Sequence, residues 1–351
     1  MTPQRYILGF LVLCTLVMLG IGPRATAQQA EVFTSGNLLV NGNFDELPFY
    51  WAYPNHFIPG GWERWWIHGT VLPEFDDIKG GREHIRVDGD HALVYFKWGA
   101  NYTAGVFQVV HGLTPCRPYE LTMYARTHTL AGALPHARIG LDPVGQQLTP
   151  DGAVHDPTPL HRTIWSREQT ELFKWEELSV TAEPLGNSLT AILYASPQPG
   201  STEVHYYDTF WDAGALQPVP YVNERLPAPL RPAGNFIYNV NSITSTEKVT
   251  LTWNLQAPGT SQIWYTLITP STITDTTHLT HTYYLPIISR FSLNFEHATP
   301  VNYNAGSLTR TATLTGFTPG QIINYIIVTR RLVSNTCVTE YAGPYTITTH
   351  P

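Results

Sequence analysis

The sequence predicts an all-β protein built from two β-sandwiches, and three observations lead to this prediction. Its 351 residues suffice for two or three domains, and 43% hydrophobic against 13% charged residues supply a core and disfavour long disorder. The 28 prolines and 27 glycines, with many Thr, Tyr and Trp, suit short strands joined by turns. Apolar residues alternate over runs of strand length at 104–110, 119–124 and 248–253. At most one helical turn is expected, over 168–177.

The first 27 residues have the pattern of a secretory signal peptide. Arg5 supplies the positive charge, 7–21 is nearly all apolar, and Ala25-Thr26-Ala27 matches a small-x-small cleavage site. An uncleaved membrane anchor is the alternative, which the shortness of the apolar run disfavours. No later segment is apolar and long enough to span a bilayer. We therefore expect the mature protein to be exported, either secreted or held at the cell surface, without membrane contact after cleavage.

Cleavage leaves two cysteines, Cys116 and Cys337, which lie far apart in the chain. A disulfide framework needs more cysteines than that. Two buried free thiols are the favoured interpretation, and a bridge between domains is the alternative. Because the sequence has no CxxC pair, a thiolate zinc site is excluded.

A proline-rich segment over 217–234, with five prolines in eighteen residues, marks the domain boundary. Proline fixes φ and lacks an N–H donor, so this stretch is expected to be an extended linker and not part of a sheet interior. The predicted parts are a first domain over 37–216 and a second over 235–351, each folding independently.

Several motifs of the first domain occur together in a characteristic order. They are NLLVNGNFD at 37–45, GGW at 60–62, AGVFQVVHGLTP at 104–115, WEELSV at 175–180 and VHYYDTF at 204–210. In this order they resemble the jelly-roll carbohydrate-binding modules of families 4 and 9, also described as galactose-binding-like domains. The resemblance implies a jelly-roll β-sandwich that binds a polysaccharide or other glycan. The stretch 141–166 is longer and richer in proline than a minimal module requires.

The same resemblance implies a structural calcium site. Asp45 falls at the acidic position of the first strand and Asp208 at that of the last. Calcium takes six to eight oxygen ligands, so the Asn43 carbonyl and either Asp88 or Asp90 would help to complete the site. The alternative is that these residues are ordinary surface acids.

Aromatic residues are the candidates for sugar contact, because sugars stack their C–H faces on indole rings and bind polar neighbours through hydroxyls. The candidates, all placed beside turns or loops, are Trp66, Trp98, Tyr102 and Trp165. Trp65 and Trp66 are adjacent and point to opposite faces of a strand, so one of them is expected to lie outside the core. The tryptophans expected in the core are Trp62, Trp175 and Trp211.

The second domain resembles a fibronectin type III domain. The matching runs are VTLTW at 249–253, SQIWY at 261–265, LTGFTPG at 314–320 and GPYTITT at 343–349. This resemblance implies a spacer or docking unit without a site of its own. The run YYLPII at 283–288 is interpreted as an extra strand, with an exposed docking patch as the alternative.

The charge balance and the motifs narrow the function further. An excess of acidic residues, 27 against 20 basic ones, speaks against a nucleic-acid partner. The fourteen histidines form no HExxH pattern, and the GxSxG and P-loop motifs are missing. We therefore expect a non-catalytic glycan-binding protein. The alternative is a structural or adhesive protein of the cell envelope that binds protein partners, and a glycoside-active enzyme using Glu74 with a carboxylate of 141–166 is a minor one.

Overall fold

The computed structural model describes residues 36–53, 56–79, 87–129, 134–198, 206–221, 225–268, 295–299, 301 and 307–351. Strands make up nearly all the regular structure of these residues. The part of the chain so described contains no helix long and apolar enough to cross a bilayer. The predicted signal peptide, 1–27, and the run 283–288 lie outside the described residues.

The first sandwich contains thirteen strands and one short helix. In chain order these are β1 (Phe49–Tyr53), β2 (His56–Pro59), β3 (Glu63–Ile67), β4 (Glu74–Lys79), β5 (His91–Trp98), β6 (Ala104–His111), β7 (Tyr119–His128), β8 (Ala137–Asp142), β9 (Ala153–Val154), α1 (Thr158–Arg162), β10 (Ile164–Trp165), β11 (Glu176–Ala182), β12 (Ser188–Ala195) and β13 (Tyr206–Pro218).

These strands form two sheets that face each other. The seven-stranded sheet has the order β1-β2-β4-β5-β13-β7-β11, and the six-stranded sheet has the order β10-β8-β12-β6-β3-β9. From β5 to β8, successive strands alternate between the two sheets, and β11, β12 and β13 do so again. This alternation is the jelly-roll arrangement, and the predicted fold class is confirmed. The core lies between the sheets and includes Phe75, Tyr95 and Trp211 from one sheet and Val106 and Leu193 from the other.

The alternating apolar runs became strands where the sequence predicted them. The run 104–110 lies in β6 and the run 119–124 begins β7, with every second residue of β7 buried. The predicted helical turn over 168–177 is wrong, since these residues hold no helix. The helix α1 lies earlier, where a proline occupies its first turn, a position at which the missing N–H costs nothing.

The long segment between β8 and β11 covers the outer face of the six-stranded sheet. Leu148, Val154 and Leu160 of this segment pack onto Trp65, Phe107 and Ile192, which point outward from the sheet. The segment therefore builds a second hydrophobic core on the side of this sheet that faces away from the first.

The second sandwich pairs a five-stranded with a three-stranded sheet. Its strands are β14 (Leu230–Pro232), β15 (Ile237–Thr244), β16 (Lys248–Leu255), β17 (Thr260–Ile268), β18 (His297–Ala298), β19 (Thr309–Thr315), β20 (Ile322–Val333) and β21 (Thr336–Thr348). The sheet orders are β14-β21-β20-β17-β18 and β15-β16-β19, as in fibronectin type III domains. Trp253, Ile263 and Ile327 fill the core between them.

The described residues of the proline-rich segment, 217–221 and 225–234, pack on the two sandwiches and do not form a free linker, since Gln217 and Pro218 end β13. Leu230–Pro232 pairs in parallel with β21 at the edge of its sheet, a position that tolerates proline. Tyr221 and Leu226 are buried against Ile326 and Val328. Both sandwiches belong to one compact unit over residues 35–351. Independent folding of the two parts stays a prediction.

A disulfide joins the two sandwiches, which corrects the expectation of two free thiols. Cys116 follows β6 and Cys337 lies in β21, yet their Cα atoms are 5.5 Å apart and their sulfurs are bonded. Beside the bridge, the Glu183 carboxylate accepts hydrogen bonds from the Arg330 guanidinium, whose Nε lies 3.0 Å from Oε1. A sequence separation of 221 residues concealed this contact, which only the tertiary structure forms.

Candidate functional site

The outer face of the seven-stranded sheet follows from the alternation of side chains along its strands. Leu93 and Tyr95 of β5 point into the main core. The residues between and after them, Val94, Phe96 and Trp98, therefore point to the opposite side of the sheet. Val94 and Phe96 pack there in a small cluster of their own, apart from the main core.

Strand register assembles the outward residues into two rows across the four strands β4, β5, β13 and β7. One row contains Asp76, Val94, Phe210 and Arg126. The next row contains Glu74, Phe96, Asp208 and His128. Because neighbouring strands lie about 4.8 Å apart, each row extends over about 14 Å. Acidic groups therefore occupy β4, basic groups occupy β7, and the two strands between them present apolar or aromatic groups and one acid, Asp208.

Side chains at the centre of this face are buried, and side chains at its margin are exposed. Val94 and Phe210 are buried, whereas Trp98 is 55% exposed and Phe173 is 43% exposed. Phe173 is held in place because its backbone N–H donates to the Thr127 carbonyl at 2.9 Å. Its ring meets the His128 ring edge-on at 5.0 Å between centroids. We call Phe96, Trp98, Phe173, Asp208, Arg126 and His128 the aromatic platform.

The polar groups of the platform are partly desolvated. Burial raises the pKa of Asp208, and His128, whose Nδ1 lies 3.7 Å from its carboxylate, opposes this rise. Burial lowers the pKa of Arg126. A half-buried carboxylate, a guanidinium and an imidazole beside exposed aromatic rings combine hydrogen-bonding groups with apolar stacking surfaces. A sugar ring needs both kinds of surface.

Of the four predicted sugar contacts, the structure places only Trp98 on this platform. Tyr102 is 1% exposed, and its hydroxyl donates to backbone carbonyls of Tyr95 and Tyr207 at 3.0 and 3.2 Å. It is a core residue, and its prediction as a ligand contact is wrong, because the turn before it folds the ring inward.

Trp165 and Trp66 also have structural surroundings. Trp165 stacks on the Arg138 guanidinium at 4.4 Å, donates from Nε1 to the Leu160 carbonyl at 3.2 Å, and belongs to the covered face of the six-stranded sheet. Trp66 is half-buried against the main core and touches Gly152. The adjacent Trp65 is fully buried beneath the covering segment, so both residues of this pair are packed, on opposite faces.

Of the three tryptophans expected in the core, two are buried there and one is not. Trp62 and Trp211 are buried in the main core, as predicted. Trp175 is half-buried and packs against the small apolar cluster on the outer face of the seven-stranded sheet. It therefore packs on the same cluster as Phe96 of the platform and not in the main core.

The predicted calcium ligands are only partly brought together. Asp45 accepts backbone hydrogen bonds from Asp90 and His91 at 2.8 and 2.9 Å, so the turn at 87–90 does close over it. Asp88 is exposed and accepts the N–H of Gly89, while Asn43 accepts the N–H of Asp45. Asp208 points to the platform beside His128, and its assignment as a calcium ligand is corrected.

Asp212 takes the place that the sequence assigned to Asp208. Its carboxylate accepts the backbone N–H groups of Val87 and Asp88 at 2.6 and 3.0 Å, in the same turn that covers Asp45. Burial, together with the negative charge of Asp45, raises the pKa of Asp212 to about 6, although the backbone N–H groups that it accepts oppose this rise.

The second oxygen of Asp45 is buried without a hydrogen-bond partner among the described residues. A Cβ at Gly89 would lie only 1.6 Å from it, so glycine alone leaves room for the carboxylate here. Two acids with an unpaired oxygen suit calcium, although no three His, Cys, Asp or Glu side chains gather as a metal cluster in the described ranges. Backbone carbonyls would have to supply the remaining ligands.

Glu74 and Asp142, one of the three acids of the segment 141–166, do not form the carboxylate pair considered for catalysis. Glu74 lies on the seven-stranded sheet, and Lys97 binds its carboxylate at 3.3 Å. Asp142, an acid of the segment 141–166, is buried on the six-stranded sheet and bound by Arg162 at 2.7 Å. The two sheets separate these groups, so they cannot face one substrate.

Sequence reasoning missed most of the platform. Asp208 lies inside a motif strand and was assigned to the metal site, whereas Phe96 and Arg126 lie outside the motifs and were not considered as site residues. The alternation of side chains was a usable signal, since Phe96 and Trp98 share a parity opposite to that of Tyr95. Phe173 carried no such signal, because a tertiary contact with β7 positions it.

No protein-family model and no curated protein sequence matches the chain. Among solved structures, the carbohydrate-binding module TmCBM61 in complex with beta-1,4-galactotriose is similar over 53% of this chain and 100% of its own, at 14% identity and a TM-score of 0.34. The adhesin domain of Epf from Streptococcus pyogenes covers 87% of this chain and 98% of its own, at 8% identity and a TM-score of 0.35. The FN1-FN3 domains of chicken CNTN1 cover 80% and 99%, at 9% identity and a TM-score of 0.23. At these identities no site of those proteins maps residue by residue onto this chain.

Proposed function

We propose that this protein is an exported, non-catalytic glycan-binding protein that holds its ligand on the aromatic platform. The observation that carries the proposal is the position of Trp98. This exposed indole follows Phe96 on the same face of β5. Phe96 is in register with Asp208 of the neighbouring strand β13, and Asp208 is in register with His128 of β7. An exposed ring beside fixed donors and acceptors is the combination that sugar recognition requires.

The covered face of the six-stranded sheet supports this choice of surface. Trp65 and Trp165 place two indole rings on this face. The segment between β8 and β11 packs over Trp65, and the Arg138 guanidinium stacks on Trp165. Neither ring is open to a flat stacking partner. The platform is therefore the face of the first sandwich on which exposed aromatics and polar groups combine.

The second sandwich is proposed to act as a spacer. The disulfide between Cys116 and Cys337 and the ion pair between Glu183 and Arg330 attach it to the first sandwich at two points. A spacer joined in this way would present the platform in a fixed orientation. The proposal also includes a structural calcium ion held by Asp45 and Asp212, which would neutralise two acids that the fold places in one turn-covered site.

The test is a glycan array followed by titration calorimetry with the best glycan. The proteins are the wild type, Trp98→Ala and Trp51→Ala. Trp51 is a matched control, because it is 61% exposed but lies on β1, three strands away from β5 in the sheet order. We expect Trp98→Ala to weaken binding at least about tenfold, which corresponds to about 1.4 kcal/mol.

Trp51→Ala should bind like the wild type, and both variants should melt within a few degrees of it. The proposal fails if Trp98→Ala folds normally and binds the glycan as tightly as the wild type. Binding to no glycan, together with capture of a defined envelope protein, would favour the adhesive alternative.

A further inference from the structure

Two histidines lie side by side on the surface of the first sandwich, away from the aromatic platform. His68 and His155 are both exposed, and their rings are 4.1 Å apart between centroids with planes inclined by 32°. Neither belongs to a sequence motif, and they are far apart in the chain. Their contact is created by the fold.

The backbone explains why the two imidazoles meet. The strands β3 and β9 pair in parallel, with Ile67 opposite Val154. The N–H of His68 donates to the Val154 carbonyl at 3.1 Å, so the pairing continues past the last strand residue. His68 and His155 each follow the last pair of this register. In neighbouring strands such residues project to the same side.

Hydrogen bonds fix the backbone next to each of the two histidines. After His68, the Thr70 hydroxyl donates to the Ile67 carbonyl at 2.7 Å and closes a turn that contains Gly69 with φ +85°. Before His155, the Asp151 carboxylate accepts the N–H of Ala153 at 3.1 Å and fixes the approach to β9. The spacing of the two side chains is thus set by hydrogen bonds on both sides.

We propose that His68 and His155 form a two-histidine chelate for a first-row divalent cation, with Zn²⁺ and Cu²⁺ as the favoured ions. Neutral imidazole is a preferred ligand of both metals, and a zinc–nitrogen bond is about 2.0–2.1 Å long. The imidazole torsion χ2 is broad, and rotation of the two exposed rings about it is the movement by which one nitrogen of each would reach a shared ion. Among the described residues no third His, Cys, Asp or Glu joins the pair. Water therefore completes the coordination.

The test is a zinc titration of the purified chain by calorimetry in saturating Ca²⁺, which fills any calcium site beforehand. The variants are His68→Asn, His155→Asn and, as a matched control, His111→Asn. His111 is an exposed histidine at the end of β6. We expect one zinc ion for the wild type and the control. Each chelate variant should lose at least about tenfold in affinity, since even outer-shell partners of a metal are worth about 10- to 100-fold.

A second measurement keeps the outcome clear. The electron paramagnetic resonance spectrum of the copper-loaded wild type should show two nitrogen donors, and both chelate variants should lose that signature while melting like the wild type. The proposal is overturned if the wild type shows no saturable zinc binding. It is equally overturned if His68→Asn and His155→Asn bind zinc as tightly as the control.

Discussion

The two outer faces of the first sandwich contain similar residues but differ in what covers them. On the six-stranded sheet, Trp165 stacks on Arg138, which also lies 4.6 Å from the ring of Tyr194, and the chain closes over the neighbouring Trp65. On the seven-stranded sheet, Trp98 stands exposed in the same sheet face as Arg126. An aromatic ring on an outer sheet face therefore does not by itself mark a binding site. The covering segment decides whether such a ring is buried or exposed.

The two sheets also differ in the groups that they bury. The outer face of the six-stranded sheet is covered mainly by apolar side chains, and its buried Asp142 forms an ion pair with Arg162. The seven-stranded sheet holds Asp212 and His56 in buried positions where their charged forms are disfavoured. We therefore expect the six-stranded side to respond to loss of apolar volume, and the seven-stranded side to respond to calcium and pH.

The largest expected effect concerns the covered face. Trp65 is fully buried, and its indole Nε1 donates to the Leu193 carbonyl at 3.3 Å. Trp65→Ala should lower the free energy of unfolding by roughly 3–5 kcal/mol, the usual cost of truncating a large buried ring. Urea denaturation measures this, with Trp51→Ala as the exposed control.

A loss below about 1 kcal/mol for Trp65→Ala, similar to the control, would contradict a tight second core. The difference between the two faces would then not depend on the covering segment. A full loss would confirm that aromatic area on this side serves stability.

The sequence predicted the fold better than the positions of single aromatic rings. Alternating apolar runs and ordered motifs were sufficient for two sandwiches, because strand formation depends on local pattern. Local pattern cannot show which face a distant segment covers, and for this reason Trp165 was taken for a ligand contact. The disulfide was missed for the same reason, since only tertiary structure brings Cys116 to Cys337. The turn at 87–90 was correctly associated with Asp45, but the opposing acid proved to be Asp212.

The second prediction concerns calcium on the seven-stranded side. If Asp45 and Asp212 hold an ion, a hundredfold excess over Kd should stabilise the fold by about 2.7 kcal/mol, because only the folded state binds. Thermal melting in millimolar Ca²⁺ and in chelator measures this. Asp212→Asn should abolish the shift.

Asp208→Asn is the control, because Asp208 faces His128 on the platform and not the turn over Asp45. It should keep the calcium shift of the wild type. Equal melting temperatures of the wild type in calcium and in chelator would remove the ion from the proposal. Loss of the shift in Asp208→Asn would restore the ligand assignment made from the sequence.

The smallest expected effect is a pH dependence that originates in β2. His56 is buried beside the Arg64 guanidinium, and its ring meets Phe75 edge-on at 5.5 Å. Burial, together with the positive charge of Arg64, lowers the pKa of His56 to about 4. In the unfolded chain the pKa of histidine is about 6.5, so the unfolded state takes up the proton first as the pH falls. This contribution is therefore fully present above pH 6.5 and is lost as the pH falls towards 4.

We expect the wild type to lose on the order of 2 kcal/mol from this residue between pH 7 and pH 4. His56→Gln keeps a polar group beside Arg64 but cannot titrate, so urea denaturation of both proteins across this range isolates the contribution. His111→Gln, which changes an exposed histidine, should follow the wild type. If His56→Gln and the wild type lose the same stability on acidification, the buried imidazole is not the acid-sensitive group. The pH response of the seven-stranded side would then have to come from other groups in that sheet.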